Sequence, residues 1–141
     1  MKLNMFDIVN INLSANTVHS EQSGIRPCII IQNDIGNQYS PTVIVMPLTA
    51  ELKKQYLPTH CLIKRSLHNG LNQDSMVLGE QVRVVDKSRI SERIGHVYDE
   101  DEKNNIIHVY LANITGKKKY MPFWKQTLIA FCGLIKEGIR I

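Results

Sequence analysis

Two short apolar runs, residues 28–31 and 43–46, constrain the fold more than any other feature of this sequence. Runs of four residues that are rich in Ile and Val are too short for core helices and are typical of strands buried on both faces. Turn-forming residues bound both runs, since residues 33–37 follow the first and Pro47 follows the second. The sequence therefore predicts at least two buried strands at the centre of a sheet.

Three further segments have strand patterns. Val9, Ile11 and Leu13 alternate with asparagines, as in a half-buried strand. Residues 58–64 and 75–85 predict additional strands, and Gly79 marks a bend within the second of these segments. We expect residues 88–94 to form one short helical turn.

A helix is predicted after these strands. Asp99 is its expected N-cap, because Glu102 follows at capping-box spacing, and Gly116 is its expected end. Five or six short strands followed by one packed helix predict the α+β class: a small, strongly twisted antiparallel sheet or SH3-like half-open barrel with a C-terminal helix. The predicted apolar stripe of the helix consists of Ile106, Ile107, Tyr110, Leu111 and Ile114.

The positive charge of the chain lies at its C-terminal end. Residues 1–114 hold 11 Lys and Arg against 12 Asp and Glu, a net charge of −1, whereas residues 115–141 hold six basic residues against one acidic residue, a net charge of +5. A phosphate-binding site in the body must therefore be a local cluster of charges. The extension is expected to pack as a helix on the body or on a dimer, or to contact a membrane surface or RNA. Its apolar run, residues 128–135, is too short to span a bilayer.

Common catalytic motifs are missing from the sequence. It has no GxGxxG, P-loop or GxSxG motif, and its five histidines and three cysteines lack the spacing of metal ligands. Polar residues at the predicted strand ends remain as candidates, and Arg26 is the best of them. Its guanidinium suits a pentavalent phosphoryl transition state, because it forks onto phosphate oxygens and keeps its charge. A structural salt bridge between Arg26 and Glu21 is an equally weighted alternative.

The chain resembles the MazF/PemK toxins, which are the ribonuclease halves of bacterial toxin–antitoxin pairs. The resemblance covers residues 5 to about 114 and rests on three segments: SEQSGIRPCIIIQNDIGNQYSPTVIVMPLTA (residues 20–50), LPTH (57–60) and DSMVLGEQVRVVDKSRI (74–90). Phe6 stands where the family usually has a glycine, and the loop SANTVHSEQ (residues 14–22) is one residue longer than in close relatives. The resemblance implies a ribonuclease domain over residues 1–114 and says nothing about the extension, residues 115–141.

The resemblance also implies an activity and its residues. Arg26 and Thr49 correspond to the catalytic pair of the family. The family cuts single-stranded RNA at short specific sequences, without metal or cofactor, by attack of the RNA's own 2′-OH, which leaves 2′,3′-cyclic phosphate and 5′-OH ends. The residues implied to line the RNA channel are Ser20, Glu21, Gln22, Leu57, Glu80 and Gln81.

The partners are likewise implied by the resemblance. Family members are cytoplasmic homodimers in which RNA and a cognate antitoxin compete for one surface, and they reach DNA only through the antitoxin complex. The N-terminus has no long apolar segment of the kind found in signal peptides, and no membrane association is expected for the body. Toxins of the same fold that poison a topoisomerase and cut nothing are the alternative, because fold alone does not separate the two activities. A third possibility is that the extension occludes the channel as a built-in regulator.

Overall fold

The computed structural model describes residues 1–14 and 18–117 of the chain. Its strands are β1 (Asp7–Asn12), β2 (Ile25–Ile30), β3 (Thr42–Thr49), β4 (His60–Ile63), β5 (Ser75–Leu78), β6 (Arg83–Asp86) and β7 (Ile90–His96). Its helices are α1 (Asp34–Tyr39) and α2 (Glu100–Thr115), and 3-10 turns cover Gly79–Gln81 and Lys87–Arg89. The expectations for the C-terminal extension fall on residues 118–141, which lie outside the described residues.

Every strand pair within the described residues is antiparallel. The order across the sheet is β4-β5-β3-β2-β1-β7, and β6 also pairs with β3. Strand β3 is therefore central: it pairs with β2 and β6 along most of its length and with β5 at its end. The predicted α+β class, an antiparallel sheet followed by a helix, is confirmed.

Strand alternation divides the core between the two faces of the sheet. Ile29 and Met46 belong to one cluster, which α2 covers through Ile106 and Val109. The two apolar runs that dominate the sequence are thus buried on both faces, as their composition predicts. The second cluster consists of Leu3, Val9, Ile11, Leu13, Cys28, Ile30, Val43, Val45 and Val85.

Helix α2 begins and ends where the sequence predicts. The Asp99 side chain accepts a hydrogen bond from the Glu102 backbone N–H at 2.9 Å, and Gly116 ends the helix with a φ of 66°. The Glu102 carboxylate does not complete the capping box, because it accepts instead from the Lys64 backbone N–H at 3.0 Å. The predicted apolar stripe is partly wrong, since Ile114 is 81% exposed. The buried residues of the helix are Ile106, Val109 and Ala112.

Strand β7 corrects the prediction for residues 88–94. The helical turn is limited to Lys87–Arg89, and the segment continues as a strand paired with β1. Most side chains of β7 are exposed or half-buried, and its pairing with β1 has two register shifts. This strand forms because its main chain pairs with β1. An edge strand with few buried side chains needs no alternating apolar pattern, so the sequence gives no strand signal here.

Residues 33–37, predicted as a turn, lie mostly within the short helix α1. The Asn33 side chain caps this helix by accepting from the Gly36 backbone N–H at 2.9 Å. The same turn-forming residues therefore start a helix here, because Asn serves equally well as an N-cap.

Phe6 has a left-handed backbone conformation, with a φ of 70°. This conformation is costly for a residue with a large side chain and easy for glycine, which explains physically why glycine suits this position. Phe6 packs against the α2-facing core cluster, and the Lys103 ammonium lies 5.5 Å from its ring centroid. These contacts offset the backbone strain at the entry to β1.

Candidate active site

Arg26 lies at the beginning of β2, opposite Ile11 of β1. Its side chain is half-buried, and its Nε donates a hydrogen bond to the Ser23 carbonyl at 2.9 Å. Within the described residues, no ion pair joins Arg26 to Glu21 or to any other carboxylate. The salt-bridge alternative is therefore not formed in this structure, and the terminal nitrogens of the guanidinium remain available to an anion.

Thr49 is the terminal residue of β3 and is buried, with 9% of its surface exposed. Its Oγ1 accepts a hydrogen bond from the Glu51 backbone N–H at 3.1 Å. Because the oxygen is used as an acceptor, the hydroxyl hydrogen stays free to be donated to another group. The turn after β3 thus fixes the position of Thr49 Oγ1 and leaves the hydroxyl hydrogen unused.

The register between β2 and β3 relates Arg26 to Thr49. Cys28 lies directly opposite Pro47, and Arg26 and Thr49 each come two residues beyond this pair on their own strands. Because side chains alternate along a strand, Arg26 and Thr49 belong to the same face of the sheet as Cys28. Two neighbouring strands thus place a cation and a hydroxyl, 23 residues apart in sequence, on one face of the sheet.

Cys28 is not available as a nucleophile beside this pair. Burial raises the pKa of its thiol to about 12, although the positive charges of Arg83 and Arg26 act in the opposite direction and lower it. The thiolate is the reactive form of cysteine, so this side chain remains an inert, protonated core residue at neutral pH.

The loop that precedes β2 carries three of the residues predicted to line an RNA channel. Leu13 N–H donates to the Gly24 carbonyl at 2.8 Å, which closes the loop at its base. Gln81 Nε2 donates to the Ser20 carbonyl at 3.3 Å, across 61 positions of sequence. The structure therefore brings Gln81 to the Ser20 segment, although these two residues come from separate motifs.

Other members of this predicted set are placed differently. Glu21 is exposed, whereas Gln22 is half-buried and its Oε1 is enclosed without a hydrogen-bond partner in the described residues. Leu57 is half-buried in the connection between β3 and β4, and Glu80 lies on the 3-10 turn Gly79–Gln81. Glu80 contacts His60, and Gln81 on the same turn contacts the Ser20 segment, so the structure connects this turn to the loop before β2.

His60 is one of the polar residues at the predicted strand ends, but the sequence assigned it no role in the site. It is 5% exposed at the start of β4, with Nδ1 at 3.0 Å from the Lys54 carbonyl and Nε2 at 2.8 Å from Glu80 Oε1. Its backbone N–H donates to the Leu57 carbonyl at 3.0 Å. Its position three residues after Leu57 was the available signal, but sequence spacing does not reveal its contact with Glu80.

A cleft of about 370 Å³ lies beside β2 and the end of β3. Its wall includes Arg26, Pro27, Leu48 and Ala50, and Thr49 is not one of its lining residues. Across residues 1–14 and 18–117, no group of three His, Cys, Asp or Glu side chains is arranged to hold a metal ion. Within the same ranges, no helix has the length and apolar character needed to cross a membrane.

Comparison with known proteins identifies similar sequences. A family model described as PemK-like, MazF-like toxin of type II toxin-antitoxin system matches residues 4–106. The chain is 46% identical over 99 residues to Endoribonuclease EndoA of Bacillus subtilis (strain 168), across 69% of this chain and 84% of that protein. It is 48% identical over 95 residues to Endoribonuclease MazF of Staphylococcus saprophyticus, across 66% of this chain and 78% of that protein.

Comparison with solved structures supports the same fold. The crystal structure of MazF (Form-I) from Deinococcus radiodurans aligns with a TM-score of 0.64 and 21% identity, over 82% of this chain and 98% of that one. An endoribonuclease in complex with its cognate antitoxin from a Mycobacterial species aligns with a TM-score of 0.63 and 18% identity, over 81% and 95% of the two chains. At these identities the likeness concerns the fold.

Proposed function

The chain belongs to the PemK-like, MazF-like family of type II toxins, and on that basis we propose that it is a toxin endoribonuclease that cuts single-stranded RNA at short specific sequences. Two relatives with 46% and 48% identity carry the name endoribonuclease, and the chain covers 84% and 78% of their lengths. The observation that carries the proposal is the half-buried Arg26 guanidinium, which has no carboxylate partner among the described residues and shares a sheet face with Thr49.

In the proposed reaction the RNA supplies its own nucleophile. The 2′-oxygen attacks the adjacent phosphorus, its proton is released, and the bond from phosphorus to the 5′-oxygen breaks as that oxygen gains a proton. The products are a 2′,3′-cyclic phosphate and a 5′-OH. The protein must hold the backbone in line for this attack and offset the charge that grows on the phosphoryl oxygens.

Arg26 and Thr49 divide this task. The terminal nitrogens of Arg26 bind the non-bridging oxygens as a planar fork, while its Nε stays tied to the Ser23 carbonyl. The Thr49 hydroxyl, whose oxygen already accepts from Glu51 N–H, donates its hydrogen to the same phosphoryl group. Both donors are fixed before RNA binds, so little reorganisation is needed in the transition state.

The remaining predicted residues select the RNA. Sequence-specific recognition of single strands relies on unstacked bases whose edges accept and donate hydrogen bonds. Ser20, Glu21 and Gln22 and the bonded Gln81 form one side of the proposed channel, and Leu57 and Glu80 form the other. The Gln81–Ser20 bond is long and exposed, so a base edge can replace it at small cost.

The proposed context is a type II toxin–antitoxin pair. We propose a cytoplasmic homodimer whose ribonuclease domain spans residues 1–114, with a basic appendage over residues 115–141. A cognate antitoxin binds the RNA-facing surface, and DNA is contacted only through that complex. The structural neighbour that contains a cognate antitoxin makes such a partner reasonable for this fold.

A cleavage assay tests the proposal. The purified protein is incubated with a long defined RNA in excess EDTA, and the new 5′ ends are mapped and tested for phosphorylation by a kinase that requires 5′-OH. We expect cuts at one short sequence, with ends that the kinase labels directly. Loss of cutting in EDTA that magnesium restores would contradict the proposal, and inhibition of a topoisomerase without RNA cleavage would favour the alternative.

A further inference from the structure

His60 connects two segments that carry the proposed RNA readers. Its ring lies between the Lys54 carbonyl, in the connection that contains Leu57, and Glu80, on the 3-10 turn that also contains Gln81. The ring is almost fully buried, whereas the Glu80 side chain is 42% exposed. A buried ring thus holds a carboxylate at the surface.

The hydrogen-bond partners of His60 constrain where protons lie in this pair. Its Nδ1 faces a carbonyl oxygen, which only accepts, so Nδ1 must carry a hydrogen. Its Nε2 lies 2.8 Å from a carboxylate oxygen, so one further proton must lie between these two atoms. Whether that proton resides on the ring or on Glu80, the pair has no net charge.

Charge compensation matters because RNA is a polyanion. An ionised Glu80 beside the channel would repel the backbone of the RNA, and like charges at an interface are costly. The other titratable side chains in the cavity of about 260 Å³ beside His60 are Cys61 and His108, and neither is a carboxylate that could compete for the proton. Among the described residues, His60 is therefore the ion-pair partner that the structure places against Glu80.

We propose that His60 is a positioning residue for RNA binding: it neutralises Glu80 and ties the Gly79–Gln81 turn to the Lys54–Leu57 connection. The inference rests on the proposed ribonuclease function. By holding Glu80, His60 positions Gln81, which lies on the same turn and contacts the Ser20 segment. By donating its backbone N–H to the Leu57 carbonyl, His60 also positions the Leu57 side of the proposed channel. Its effect falls on RNA affinity and not on the Arg26–Thr49 chemistry.

His60→Gln tests this role, since glutamine keeps a donor for Glu80 and removes the extra proton. We expect the KM for a short RNA substrate to rise roughly tenfold while kcat stays within about threefold of wild type. The KM defect should shrink as salt is added, because salt screens repulsion between Glu80 and RNA. Adding Glu80→Gln to this variant should lower KM at least threefold relative to His60→Gln alone.

The matched control is His68→Gln, which changes an exposed histidine that packs edge-on against Tyr98 in a separate cleft. A His60→Gln enzyme with wild-type KM would overturn the inference. So would equal losses in kcat and KM that Glu80→Gln does not relieve, because that pattern indicates a purely structural role. Failure of wild type to cut RNA would instead refute the proposed function.

A spectroscopic measurement decides the point if His60→Gln does not fold. In the wild-type protein at neutral pH, ¹⁵N shifts of the His60 ring and the ¹³C shift of the Glu80 carboxyl report where protons reside. We expect either two protonated ring nitrogens or a protonated Glu80. One protonated nitrogen opposite an ionised Glu80 would overturn the inference, whether or not the protein cuts RNA.

Discussion

Replacement of Arg26 by lysine separates an anion-binding role from a structural one. Lysine keeps the positive charge but has neither the Nε that bonds to the Ser23 carbonyl nor a planar pair of terminal donors. If Arg26 clamps the phosphoryl group in the transition state, losing one well-placed charge-assisted donor should cost about 2.7–4 kcal/mol, or roughly 10²–10³ in cleavage rate. The loss of the Ser23 bond should lower the free energy of unfolding by only about 0.5–1.5 kcal/mol.

Arg89 provides a control that matches this change closely. The residue is also half-buried, and its guanidinium also donates to a backbone carbonyl, that of Asn12, with Nε at 3.1 Å and Nη2 at 2.7 Å. It has no place in the proposed site. Arg89→Lys should therefore lose stability comparable to that lost in Arg26→Lys and retain nearly wild-type cleavage.

The assay is single-turnover cleavage of a short RNA that contains the mapped site, with urea unfolding of each variant followed by circular dichroism. Single-turnover rates report the chemical step without product release. A folded Arg26→Lys enzyme that cuts within threefold of wild type would refute the clamp, and an equally large rate loss in Arg89→Lys would show that the defect arises from stability alone.

Three further changes test other parts of the structure. Thr49→Ala should slow single-turnover cleavage by roughly tenfold, a smaller loss than in Arg26→Lys, because a neutral hydroxyl contributes less than a charged guanidinium. Thr49→Ser keeps the hydroxyl and should stay near wild type. Equal rates for wild type and both variants would remove Thr49 from the site. Gly79→Ala should lower the free energy of unfolding by about 1–3 kcal/mol, because its Cβ would lie 2.4 Å from Val109 Cγ1 and 2.7 Å from the Thr59 backbone carbonyl oxygen. Gly36→Ala should cost less, because the nearest atoms to its Cβ belong to the Gln32 side chain at 2.9 Å and not to the backbone. Similar urea midpoints for the two variants would contradict this packing. Cys28 should resist iodoacetamide at pH 9.0 in the native protein and react in urea, because its folded-state pKa of about 12 exceeds the unfolded value of 9.0. The stability that the protonated thiol contributes is complete below pH 9.0 and is lost as pH rises toward 12. Rapid labelling of the native protein would refute the burial of Cys28.

Elements with a local signal can be predicted from the sequence alone. Residues 28–30 and 43–46 lie in strands because short β-branched runs pack well in a sheet interior. Helix α2 is capped by Asp99 and Gly116 because caps act on neighbouring backbone groups. The family resemblance supplied the prediction of Arg26 and Thr49, and their catalytic roles remain predictions.

Contacts between distant side chains depend on the tertiary fold and have no local signal. Strand β7 exists because β1 offers main-chain partners, and Val109 is buried because the turn at Gly79 approaches α2 closely; neither partner is near in sequence. The pairing of His60 with Glu80, 20 residues apart, likewise depends on β4 lying beside β5. Local propensity depends on neighbours along the chain, whereas packing and charge compensation depend on neighbours in space. The pairing of His60 and Glu80 can therefore be inferred only from the folded sheet.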